Sequence, residues 1–126
     1  MRTVLKWLMI VLGAACILIG LAHVVGGIHS EPGLSGAGPT VDSRERFFGA
    51  IFAFYGVACL ASVRGTIKAK EVNWLAGFFL LGGLGRLLSW ALEGRPHWFQ
   101  LPLTALELVV PLIIFGLVRG LDRTKE

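Results

Sequence analysis

The chain has 126 residues, 55% of them hydrophobic and 16% charged, with a net charge of +4. Its mean hydropathy is +0.73 and its pI about 9.6. Average apolar usage is about 45–50%, and here the charge sits in short segments between long apolar runs, which excludes an ordinary soluble domain and predicts a polytopic membrane protein. The basic residues flank the apolar runs and form no basic face with interleaved aromatics. They are read as topogenic, and nucleic acid is excluded as a partner.

In chain order, the first span covers 4–28. It opens with Arg2 and Lys6 and then holds no ionisable acid or base but His23. The apolar run exceeds the roughly 7–15 residues of a signal-peptide core, and no clear cleavage site follows, so it is expected to stay as a helix. Residues 29–45 read as a loop with Pro32, Gly33, Gly36, Gly38 and Pro39. Asp42 and Glu45 then have the spacing of a capping box, with Asp42 as N-cap. The second span covers 46–63. A polar turn, 64–71, carries Arg64, Lys68 and Lys70. The third span covers 72–92 and is followed by a turn around Gly94 and Pro96. The fourth covers 98–118, with Pro102 in its first turn, where proline is tolerated. Pro111 stands mid-span and predicts a kink that frees a carbonyl near the polar centre. The tail 119–126 is charged. Together these give an all-α fold, a single membrane domain over 1–126 built as a four-helix bundle.

Orientation follows from lysine and arginine placement. Arg2, Lys6, Arg64, Lys68, Lys70, Arg119, Arg123 and Lys125 fall on one side, and Arg44, Arg46 and Arg95 on the other. Eight against three predicts both termini in the cytoplasm, in a multi-pass protein of the cell inner (plasma) membrane. Trp7, Trp74, Trp90 and Trp98 fall near span ends, as an aromatic belt requires. Cys16 and Cys59 lie inside spans, at depths differing by roughly 10 Å, too far for a disulfide. They are read as packing residues.

The third and fourth spans reach bilayer length only by including Arg86 and Glu107. The charge-free stretches beside them, such as 72–85 and 108–118, fall short of the about 20 residues needed. An ionisable group at that depth is a functional-site candidate by default. Arg86 lies about 9 Å from the outer end of its span and Glu107 roughly 9–14 Å from the outer end of the next. Consecutive antiparallel helices are usually neighbours, so the two are expected to pair.

Residues three and four apart extend a polar and small stripe from each. On span three it is Gly82, Arg86, Ser89 and Glu93; on span four it is Gln100, Thr104, Glu107 and Pro111. The same spacing gives Cys16, Gly20, His23 and Gly27 on span one. On span two it gives Asp42, Arg46, Gly49, Ala53 and Gly56. Small residues let helices approach in lipid, and polar ones bond across the interface. The stripes predict an outer-leaflet pocket around Arg86 and Glu107, lined by His23, Arg46, Ser89, Glu93, Gln100 and Thr104. Tyr55 falls off the stripe and is placed with the packing aromatics Phe48 and Phe52.

Three readings stay open for Arg86: snorkelling to the interface, a structural lock with Glu107, or binding of an anionic group. His23 is read first as an interfacial hydrogen-bonding residue, and Arg46 and Glu93 as boundary charges. The run Gly82-Gly83-Leu84-Gly85 lacks the Gly-Lys-Ser/Thr ending of a phosphate loop and is assigned to helix packing. No catalytic set, metal-ligand spacing or cofactor motif is found.

The motifs Gly83-Leu84-Gly85-Arg86-Leu87-Leu88-Ser89, Gly94-Arg95-Pro96 and Ala105-Leu106-Glu107-Leu108 carry a resemblance. The chain resembles the domain of unknown function 4345 family of small bacterial membrane proteins and, more distantly, the DoxX-type four-helix membrane proteins. That resemblance implies a four-helix membrane bundle with Arg86, Gly94 and Glu107 as signature positions. It implies no activity.

The leading functional expectation is a non-enzymatic accessory or small-ligand-binding membrane protein. Its expected partners are membrane lipid, a hydrophobic or anionic small ligand, and further copies or a larger membrane complex. The rivals are an enzyme acting on a lipid or quinone, with Glu107 moving a proton, and a small oligomeric transporter. The apolar inner halves of the spans count against the transporter.

Overall fold

The computed structural model describes residues 2–30, 33, 36–94 and 100–124. Its elements are α1 (Arg2–Gly26), a 3-10 turn (Gly27–Ser30), α2 (Pro39–Ser62), α3 (Ala69–Glu93) and α4 (Gln100–Thr124). No strand occurs among the described residues. The helices are 24 or 25 residues long. At 1.5 Å per residue each reaches about 36 Å, more than the roughly 30 Å of a hydrocarbon core. All four are long and apolar enough to cross a membrane.

Large apolar side chains crowd the surface, among them Leu18, Val25, Phe54, Trp74 and Leu92, each more than 65% exposed. In water such a surface would drive aggregation; against lipid tails it is the expected exterior. The buried positions combine apolar side chains such as Leu5, Met9, Val72 and Ile114 with small or polar ones, among them Cys16, Cys59, Ser62, Ala76, Thr104 and Glu107.

Helix ends depart from the sequence expectation in three places. Asp42 is not the N-cap of α2. The helix starts at Pro39, behind an extended Gly38 whose carbonyl accepts the Asp42 N–H at 3.1 Å. Proline's fixed φ suits the first helical position, so the helix begins a turn early. The α3 helix also starts early, at Ala69, with the Val72 N–H on the Lys68 carbonyl at 3.0 Å. The charged tail continues α4 as far as Thr124. Arg119, Leu121 and Arg123 are good helix formers, and a basic side chain in the last turn complements the negative end of the helix. Pro111 stands inside α4, which continues past it. At the other end of α3, Gly94 has φ +94° and returns its N–H to the Trp90 carbonyl at 3.0 Å. The expected turn residues Arg95, Pro96 and His97, and the expected span start Trp98, lie outside the described residues.

The chain divides into two compact units, one of residues 1–7 and 65–126, the other of residues 8–64. In the 8–64 unit, α1 and α2 run antiparallel on facing glycines. A Cβ on Gly20 would lie 2.5 Å from the Ala53 nitrogen and the Gly49 oxygen, and one on Gly13 2.7 Å from the Gly56 oxygen. Gly27 in turn faces Asp42. The Gly13–Gly56 and Gly20–Gly49 contacts lie seven residues apart on both helices and pack backbone on backbone; at Gly27, in the 3-10 turn, the contact is with the Asp42 side chain. In the other unit, α3 packs on α4, and Gly83 is the close point. A Cβ there would meet the Glu107 Cβ and Leu108 Cδ2 at 3.0 Å.

Cys16 and Cys59 are both buried and are not joined in a disulfide. Phe52 and Tyr55 stack with ring centroids 6.3 Å apart.

Candidate functional site

The α3–α4 unit brings the two mid-helix charges together. Arg86 Nε donates to Glu107 Oε2 at 2.7 Å. The glycines before Arg86 make this geometry. Gly83 lets the α4 backbone come close, and Gly82 leaves room beside Oε2. The pair is asymmetric: the Glu107 side chain is 11% accessible and that of Arg86 37%. Thr104, one turn before Glu107, is buried on the same face. Pro111, one turn after, is also buried and has no N–H to give the Glu107 carbonyl, so the backbone ladder of α4 lacks one rung there. Ser89 and Glu93 are exposed on α3, and the side chain of Gln100 lies outside the described residues.

The 8–64 unit holds a second polar cluster, which gathers His23 and Arg46. Arg46 Nε donates to Asp42 Oδ2 at 2.8 Å, and its Nη1 donates to the carbonyls of Val24 at 2.7 Å and Val25 at 3.2 Å. Those carbonyls belong to the last turn of α1, which no later N–H of the helix can serve. Asp42 Oδ1 accepts the Ile28 N–H at 3.0 Å. Gly27, at φ +56°, makes room for that carboxylate: a Cβ would collide with Oδ1. His23 Nδ1 faces the Ile19 carbonyl at 2.8 Å, and its Nε2 lies 3.8 Å from Glu45 Oε2. Arg46 is therefore more than a boundary charge: it ties the start of α2 to the end of α1.

Sequence reasoning missed the partners of this clasp. Asp42 and Arg46 stand four apart on one helix face, a spacing that signals an ion pair, but a capping role for Asp42 obscured it. Nothing in the sequence aimed Arg46 at α1 carbonyls.

The polar side chains thus fall into two clusters, one per unit. An open groove of about 530 Å³ runs along α3 from Lys70 to Leu81. A cavity of about 360 Å³ lies between the start of α1 and residues 65–67. Neither is lined by Arg86 or Glu107. Among the described residues no three His, Cys, Asp or Glu side chains are placed to hold a metal ion.

Four apolar helices with charges paired inside them define a multi-pass membrane protein. The sequence model of a domain of unknown function (DUF4345) matches residues 4–118, and the chain belongs to that family. No curated protein and no solved structure matches it.

Proposed function

We propose that this is a non-enzymatic accessory or small-ligand-binding protein of the bacterial inner membrane, with both termini cytoplasmic and a ligand site at Arg86. The observation that carries the reading is the asymmetry of the ion pair. Glu107 is buried and neutralised, while Arg86 keeps over a third of its side chain accessible. An arginine presents five N–H donors in a planar fork. The accessible part of the Arg86 side chain suits the phosphate or carboxylate of a lipid or a small amphiphile. The eight-to-three distribution of Lys and Arg supports the orientation.

The test is native mass spectrometry of protein purified in mild detergent. The wild type is expected to retain an anionic amphiphile near one per chain. Arg86→Gln should lose it and Glu107→Gln should keep it. Identical adducts, or none, in wild type and Arg86→Gln would overturn the ligand reading.

A further inference from the structure

The 360 Å³ cavity belongs to the unit of residues 1–7 and 65–126, about 25 Å along α3 from Arg86. The start of α1 supplies Arg2, Thr3, Lys6 and Trp7, and the turn before α3 supplies Gly65 and Thr66. Gly65 has φ +75°, a left-handed conformation that swings Thr66 to the cavity edge. Among the described residues no carboxylate lines the space.

That lining is electrostatically incomplete. Arg2 and Lys6 stand four apart on one helix face, where like charges repel. They also stand at the start of a helix whose first turn has no acidic residue, the end where the backbone itself is positive. Two cations, a positive helix end and two hydroxyls around one cavity are complementary to an anion with several acceptor oxygens. The outer wall selects its kind. Trp7 is 60% exposed beside an exposed Val4, both on a helix that crosses lipid. An indole so placed sits at headgroup level.

We propose that this cavity binds the phosphate of an anionic phospholipid: Arg2 and Lys6 pair with its oxygens, Thr3 and Thr66 donate hydroxyl hydrogens to it, and Trp7 packs beside the glycerol and first acyl carbons. Topogenic charge alone accounts for basic residues at this end, but it is indifferent to which of them line a cavity. Arg64 and Lys68 flank the same turn and do not line it, so they supply a charge-matched control.

The experiment titrates the protein in detergent with phosphatidylglycerol or phosphatidylcholine and reads lipid occupancy by native mass spectrometry. The wild type should prefer phosphatidylglycerol. Arg2→Gln with Lys6→Gln should weaken its binding about tenfold or more, since each cation near an anionic surface contributes roughly a factor of five. Arg64→Gln with Lys68→Gln should leave it within about twofold. In an Arg86→Gln background, which removes the site at the ion pair, Arg2→Gln with Lys6→Gln should cause the same further loss. Thr66→Val gives a second, charge-neutral variant and should also weaken binding. Equal losses from the two double variants would overturn the site in favour of diffuse charge. Displacement of the lipid by millimolar inorganic phosphate would overturn the lipid as its ligand.

Discussion

In the α1–α2 hairpin the paired charges stand at one end of the helices, where Arg46 binds Asp42 and the carbonyls of Val24 and Val25. In the α3–α4 hairpin the charges stand within the helices, and Arg86 meets Glu107 across the contact. The interiors differ in the opposite sense. The first hairpin packs backbone on backbone through Gly13, Gly20, Gly49 and Gly56, while the second approaches closely at Gly83, beside the carboxylate. A hairpin held by close backbone contact keeps its polar groups at the rim. A hairpin that carries a carboxylate inside needs a glycine beside it to fit the side chain and an arginine to neutralise it.

The sharpest test of this contrast is the ion pair. Arg86→Met leaves a buried carboxylate without its cation and should lower stability by about 3 kcal/mol, the lower end for a broken buried pair. Glu107→Gln leaves the more accessible partner behind and should lower it by only about 1 kcal/mol. Thermal unfolding in detergent reads the order, and equal losses would show that the difference in burial has no energetic weight. Gly20→Ala comes next. Its methyl would meet backbone atoms that no side-chain rotation can clear, and overpacking of this kind costs about 2 kcal/mol. The loss should appear as faster proteolysis or exchange in residues 8–64 ahead of the rest of the chain. Gly85→Ala should have the smallest effect, and of the opposite sign. Nothing lies within 4 Å of its Cβ, so the variant gains helix propensity, roughly 0.5–1 kcal/mol. A Gly85→Ala loss as large as that of Gly20→Ala would mean that glycine content, not register, governs the packing.

Much of this was legible in the chain itself. Four apolar runs of spanning length fix four membrane helices, because lipid leaves a backbone no other way to satisfy its own hydrogen bonds. The need to include Arg86 and Glu107 to reach that length placed both charges inside helices. Antiparallel neighbours then brought them within reach of each other. The stripes Gly82, Arg86, Ser89 and Glu93 on α3 and Gln100, Thr104, Glu107 and Pro111 on α4 marked the contact face in part: Arg86 meets Glu107, and Thr104 and Pro111 are buried, but Ser89 and Glu93 are exposed and the close point is Gly83.

Tertiary structure decided the rest. Whether Asp42 caps its own helix or clasps another segment depends on Gly27 bringing the Ile28 N–H to it, a contact across fourteen residues with no local signature. The unequal burial of Arg86 and Glu107 is set by how α3 and α4 pack. The gathering of Arg2, Lys6 and Thr66 around one cavity depends on the turn at Gly65, which joins residues some sixty positions apart. Composition and period fix what each helix must bury; only the packing fixes which partner each buried or clustered charge finds.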